Sequence, residues 1–197
     1  PLTLQGKADP VRAYRLLAVH DAPERRHDRP FVGRDRDLTA IKDAWRRVVD
    51  ERSCQLVTVV GDAGIGKSRL AAEVLATVDA RVLRGRCLPY GEGITYWPVV
   101  EVLQQLGLRP ADERAATAIS AVLGESEAST SADEIAWAFR KTLEHAAADQ
   151  PLVVLFDDIQ WGESTFHDLV EHVALLSTGA SILLLCMARP DLAEQRP

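Results

Sequence analysis

The chain has 197 residues, enough for one full domain and a short additional segment. Hydrophobic residues make up 47% and charged residues 26%, the balance of a soluble globular protein, and no apolar stretch is long enough to span a bilayer. The formal charge of −6 leaves no basic excess for neutralising phosphate backbones, which argues against direct nucleic-acid binding.

The chain opens at Pro1 without Met and closes no obvious unit at Arg196-Pro197, so it is expected to be part of a longer protein. No signal peptide is recognisable at its start. Cys54, Cys87 and Cys186 are odd in number and form no Cys-x-x-Cys pair. They read as reduced core residues of a cytoplasmic protein.

Residues 11–18 have the composition of a strand. Residues 20–30 are charged, hold two prolines and lack an apolar face, so they read as a linker, and the chain divides near residue 30. From Asp35, the residues Leu38, Ile41, Trp45 and Val48 recur at spacings of three and four, which predicts a helix. Residues 55–60 are β-rich and end at Gly61, the pattern of a buried strand. Leu70, Val74, Leu75 and Val78 mark a second helix, and residues 82–87 a shorter strand. A Gly/Pro loop follows at residues 88–95, then a helix from about Pro98 and another over residues 111–123. Ser131 and Glu134 have the spacing of a capping box ahead of Ile135, Phe139 and Leu143. Residues 152–156 form an unbroken apolar run, Phe166, Leu169, Val170 and Val173 a helical stripe, and residues 181–187 a second apolar run. Continuous apolar strands separated by amphipathic helices predict an α/β fold whose parallel sheet is covered on both faces.

Three features carry chemistry. Gly61, Asp62, Ala63, Gly64, Ile65, Gly66, Lys67 and Ser68 match G-x-x-x-x-G-K-[ST], after a strand and opening a helix, with Arg69 next in the helix. The glycines let successive N–H groups curl around an anion, and the helix adds its positive end. Lys67 is suited to β- and γ-phosphates, and the Ser68 hydroxyl to Mg²⁺. Next, the apolar strand ending at Phe156 leads into Asp157 and Asp158. Ligands of parallel sheets sit beyond the carboxyl ends of the strands. Asp157 is therefore the candidate for holding Mg²⁺, if the two strands lie close together. Asp158 is the candidate for polarising a water, although it is one methylene shorter than Glu. Last, Arg189 follows the final apolar strand, where a guanidinium could reach the γ-phosphate.

With these motifs in order, the chain resembles the STAND-type ATPase domains, a branch of the AAA+ P-loop NTPases. The similarity is to the module of large bacterial regulators that follows a class III adenylate/guanylate cyclase domain or precedes a LuxR-type DNA-binding domain. It covers about residues 31–191 and rests on Phe31-Val32-Gly33-Arg34, the phosphate loop, Arg86 to Gly93 with Tyr96-Trp97-Pro98, Asp157-Asp158-Ile159-Gln160-Trp161, and Arg189-Pro190. Residues 4–16 are similar to the tail of a class III cyclase domain, giving a division into a tail (1–19), a linker (20–30) and an ATPase core (31–197).

The resemblance implies a P-loop NTPase three-layer αβα sandwich with a mainly parallel central sheet. It implies ATP and Mg²⁺ as ligands. Phe31, Val32 and Gly33 would lie against the adenine. Ser68 and Asp157 would serve the metal, and Lys67, Asp158 and Arg189 the chemistry, with Arg189 the γ-phosphate sensor. Where related sequences often place Asp two residues after the Trp, this chain has Glu163, to which no catalytic role is given. The helical lid and winged-helix region of such proteins are not found in this chain. The implied function is an ATP-binding, slowly hydrolysing switch, an ATPase role exercised through other domains of the same polypeptide and through homo-oligomer formation on activation, without a membrane partner. The competing reading is a P-loop kinase or other phosphotransferase acting on a small acceptor, and a third is a scaffold that keeps the loop for structure.

The remaining features read as structure. The five histidines lack metal-ligand spacing, His167 and His172 falling on different helix faces. Trp45 and Trp137 read as packing residues; Tyr96 and Trp97 read as core packing, with a loop aromatic pair that docks a partner as the alternative. Arg81, Arg84 and Arg86 form a local basic cluster that reads as solvated surface, with a phosphate-binding or inter-subunit arginine role as the alternative.

Overall fold

The computed structural model describes residues 31–89, 95–110 and 112–192. The strand expected at 11–18, the linker 20–30, the cyclase-like tail 1–19 and part of the Gly/Pro loop lie outside the described residues. Among those described, the elements are α1 (Asp35–Glu51), β1 (Cys54–Val60), α2 (Lys67–Leu75), β2 (Arg81–Arg86), α3 (Trp97–Leu106), α4 (Glu113–Val122), α5 (Ala132–Ala146), β3 (Leu152–Asp157), α6 (Ser164–Leu176) and β4 (Ile182–Ala188). A short 3-10 turn, Ile159–Trp161, follows β3.

The helices form where sequence periodicity and end signals agree. In α1, Ile41, Ala44 and Val48 are buried, and Leu38 and Trp45 pack beside them. In α5, the Ser131 hydroxyl accepts from the Glu134 N–H and the Glu134 carboxylate accepts from the Ser131 N–H, a reciprocal cap worth about 1 kcal/mol. α4 starts later than expected because the Asp112 carboxylate accepts from the Ala115 N–H and fixes the start there. Pro98 stands in the first turn of α3, where its missing N–H costs nothing.

The four strands are all parallel, in the order β1-β4-β3-β2. β3 and β4 lie in the centre. Leu152 to Phe156 and all of β4 are buried, which accounts for their unbroken apolar sequences. The two-residue period sends alternate side chains into separate cores. Val154, Phe156, Leu184 and Cys186 join α3 to α6 on one face. Val153, Leu155, Leu183 and Met187 join α1 and α2 on the other. The result is a three-layer α/β/α arrangement.

The two outer strands are finished differently. Along β2, side chains of α3 stand in for a neighbouring strand: Arg84 donates its N–H to Gln105 Oε1 at 2.9 Å, Gln105 Nε2 donates to the Arg84 carbonyl at 2.5 Å, and Glu101 accepts the Arg86 N–H at 2.7 Å. α3 comes this close because residue 85 is glycine; a Cβ there would stand 2.4 Å from the Pro98 carbonyl oxygen. β1, expected to be buried, leaves Leu56 and Val60 exposed. As an outer strand it has a partner on one side only among the described residues.

Other expectations need correction too. Trp97 is 42% exposed and not a core residue, because it opens α3 on the side away from the sheet-facing Val99, Val102 and Leu103. Arg81 and Arg86 are not simply solvated. Arg81 donates to the carbonyls of Gln105 and Leu106 at the C-terminus of α3, and Arg86 is part of the site below. All three cysteines are free, and burial pushes their thiols up to about 12, so they sit as inert packing groups.

Candidate nucleotide-binding site

The phosphate loop leaves the carboxyl end of β1. Its first amide is pinned to the sheet, Gly61 N–H donating to the Ala188 carbonyl at 3.2 Å. Gly64 and Gly66 then take φ values of +80° and +95°, backbone conformations that other residues adopt only with strain. Residues 62–65 are exposed, so the loop is open and not sealed under other side chains. α2 begins at Lys67 with its first N–H groups directed toward the loop. Lys67 Nζ donates to the carbonyls of Gly61 at 2.6 Å and Asp62 at 3.0 Å, which holds the ammonium inside the loop's curve. Ser68 is exposed beside it. Arg69 is turned to Glu73, with which it pairs. Phe31 packs against the α1/α2 core, while Val32 is 80% exposed and Gly33 takes φ +86°.

The acids close β3. Asp157 is its last residue and is half-buried. Burial, reinforced by the negative charge of Asp158, pushes its carboxyl above the usual carboxylate range, and the charge of Lys67 acts in the opposite sense. Lys67 and Asp157 therefore feel one another although β4 runs between their strands. Asp158 sits in the left-handed region at φ +56°, a position that Asp tolerates better than most residues. Its N–H donates to Asp157 Oδ1 at 2.9 Å.

The Asp158 carboxylate is held from two sides. Arg86, at the end of β2, directs Nη2 (2.7 Å) and Nε (3.1 Å) onto Oδ2. Gln160 Nε2 donates to Oδ1 at 3.1 Å. Burial alone would raise this carboxyl, but the bonds from Arg86 and Gln160 and the charges of Arg86 and Arg189 outweigh it and hold the group below the usual range. The two neighbouring acids are thus pushed in opposite directions.

Arg189 leaves the sheet immediately after β4, between the phosphate loop on one side and the acids on the other. Its N–H donates to Gln160 Oε1 at 3.1 Å, and its guanidinium lies over the Trp161 ring, 5.8 Å from the centroid. Glu163 precedes α6 and accepts a 2.5 Å hydrogen bond from Thr95, a link between the segment before α3 and the turn after β3. Behind the acids, Phe156 meets the Phe166 ring edge to face at 5.2 Å and anchors the strand end.

The sheet therefore gathers Lys67, Ser68, Asp157, Asp158 and Arg189 at one edge, the carboxyl ends of its strands. Arg86 and Gln160 join them, through contacts with Asp158 that the sequence did not disclose. The Arg86 pair spans 72 positions, so no local pattern reports it. Gln160 gave a fainter signal, a polar side chain in a turn directly between two apolar elements. The donor set suits a small hard cation. Among the described residues no group of three or more His, Cys, Asp or Glu side chains is placed to enclose a metal alone. Ser68 and Asp157 offer one hydroxyl and one carboxylate, the share a protein contributes to Mg²⁺ whose other ligands are water and phosphate. The half-buried Asp157, beside a second acid, gains from such a cation.

Among the described residues no helix is long and apolar enough to cross a membrane. A curated relative, an uncharacterised protein of Rhizobium meliloti (strain 1021), is 26% identical over 228 residues, covering 98% of this chain and 22% of its own length. The chain thus spans about a fifth of that relative. The solved structure of C. elegans PCH-2 is similar at 12% identity and a TM-score of 0.38, over 79% of this chain and 37% of that one. The family model described as an AAA ATPase domain matches residues 30–185, most of the chain and all of the gathered residues except Arg189, and the chain belongs to that family.

Proposed function

We propose that this chain is an ATP-binding, slowly hydrolysing switch domain of a multidomain bacterial signalling or transcription regulator. One observation carries the reading: an open phosphate loop, an arginine and a pair of acids emerge at the carboxyl edge of one parallel sheet. The loop's N–H groups and the start of α2 would cradle the phosphates. Lys67 would leave the Gly61 and Asp62 carbonyls to pair with β- and γ-oxygens. Phe31, Val32 and Gly33 would flank the base. Ser68 and Asp157 would hold Mg²⁺, which when bound supplies neutralisation of the phosphate charge.

The state of Asp158 supports slow turnover. A general base works best with a pKa near the working pH, and Arg86 holds this carboxyl in the opposite direction. Asp158 would accept a proton from water only weakly while that pair persists. Slow hydrolysis suits a device whose bound nucleotide is the signal. The output would be read as different contacts in the ATP and ADP states, made with other domains of the same polypeptide or with further copies of the chain. The relative's much greater length supports a multidomain setting.

Isothermal calorimetry of the chain with Mg·ATP tests the reading. Saturable binding is expected, and Lys67→Ala should abolish it while far-UV circular dichroism stays unchanged. No heat at millimolar nucleotide, or equal affinity in the variant, would overturn the assignment.

A further inference from the structure

Gln160 plays no part in the function proposed above, yet it is among the most deeply placed polar side chains described, 3% exposed. A side chain that is buried and polar has to be matched, and this one is matched twice. Its Nε2 donates to Asp158 Oδ1 and its Oε1 accepts from the Arg189 N–H, both at 3.1 Å. The amide can point only one way, since a carboxylate offers no donor and a peptide N–H no acceptor.

The two partners belong to different strands. The β3–β4 ladder ends at the pair Phe156–Cys186; β3 runs on to Asp157 against β2 and β4 to Ala188 against β1, and only then do the chains enter the 3-10 turn and the segment after β4. Beyond both strand ends the Gln160 amide bridges the two chains, joining an acid's carboxylate on one side to an arginine's backbone on the other. The arginine's guanidinium rests on Trp161, the neighbour of Gln160 in the same turn. The Asp158 carboxylate is meanwhile held by opposed grips, Arg86 on Oδ2 and Gln160 on Oδ1. Arg189 touches the turn at two points, its N–H on Gln160 and its guanidinium on Trp161, so a change at Arg189 bears on the turn that supplies one of those grips.

We infer that Gln160 is a positioning residue that couples Arg189 to the orientation of the Asp158 carboxylate. The inference rests on the roles of Arg189 and Asp158 proposed above. It predicts a particular separation of effects: without Gln160, Arg189 still responds to the γ-phosphate, but the response no longer reaches the acid.

The test uses the chain with Trp45→Phe, Trp97→Phe and Trp137→Phe, which leaves Trp161 as the one tryptophan of the four. Gln160→Met removes both hydrogen bonds. Gln160→Glu keeps shape and the acceptor for Arg189 but loses the donor, so it serves if the methionine variant folds poorly. Three quantities are read: Mg·ATP affinity, single-turnover phosphate release, and the difference in Trp161 emission between a non-hydrolysable ATP analogue and ADP. The expected result is affinity within about threefold of the parent, phosphate release slowed roughly 10–100-fold as for other positioning contacts, and a retained emission difference. Unchanged release in both variants would overturn the inference. So would loss of affinity and emission response together with turnover, which marks a merely structural role, or a parent chain whose Trp161 emission ignores the nucleotide. A parent that binds no Mg·ATP would instead remove the nucleotide reading itself, and the inference with it.

Discussion

Removal of Arg86 tests the electrostatics of the acids without touching the phosphate loop. The guanidinium contacts Asp158 through two nitrogens, but its side chain is 63% exposed, while that of Asp158 is 21% exposed. A pair so open to solvent contributes roughly 0.2–1 kcal/mol, and the better-covered acid places this one toward the upper end. For a chain of this size, Arg86→Ala should lower the melting temperature by about 1–4 °C. The pH dependence has a definite sign. In the folded state the Asp158 carboxyl lies below its ordinary position, so its contribution is complete above the unfolded value, about 3.9, and disappears as the pH falls through the folded value. In Arg86→Ala, burial is opposed only by Gln160 and Arg189, so the carboxyl moves upward. A double-mutant cycle with Asp158→Asn, followed by urea unfolding at neutral and acidic pH, isolates the pair. Coupling should be present at pH 7 and vanish in strong acid. Zero coupling at pH 7, or coupling that grows on acidification, would refute the assignment.

Two further outcomes are expected. Asp158→Asn should slow single-turnover phosphate release at least about tenfold with Mg·ATP affinity little changed, since it removes a proton acceptor and not a phosphate contact; equal turnover would take Asp158 out of the chemistry. Gly85→Ala should destabilise the fold by about 1–3 kcal/mol in urea unfolding, because its Cβ would stand 2.4 Å from the Pro98 carbonyl and lift α3 off the β2 edge; wild-type stability would contradict that close approach.

The parts of the fold legible in the sequence are those whose signals are local. β3 and β4 announce themselves as unbroken apolar runs, because both faces of a central parallel strand are covered. The α5 cap is visible in Ser131 and Glu134, two residues three positions apart that bond to each other. The phosphate loop is visible because its glycines answer a backbone demand within eight positions. What stayed hidden depends on placement. Nothing in residues 54–60 says that β1 lies at the outside of the sheet, so the exposure of Leu56 and Val60 was not foreseen. Arg86 looked like one of three surface arginines until β2 set it beside the end of β3. Trp97 reads the same in a core or at an open helix start. Gln160 acquires meaning only when the end of β4 arrives next to it.

Strand order also decides what kind of ligand the edge can hold. The metal role of Asp157 depends on the strands of the phosphate loop and of Asp157 lying close together, and β4 stands between them. Neighbouring strands are about 4.8 Å apart, so β1 and β3 are separated by roughly 10 Å. A single small anion on Lys67 would leave the acids out of reach, whereas a chain of phosphates with a hydrated cation covers that interval. The inserted strand has a second consequence. Because β4 is the one between them, Arg189 emerges in the middle of the span, where a terminal phosphate would lie, and Gln160 meets it from the acid side. Had β4 been added outside β1 instead, the same residues would have put Arg189 beyond the loop, with no route to Asp158. On the proposed reading, the arrangement of the strands, more than any one motif, would make a terminal phosphate detectable by the acids.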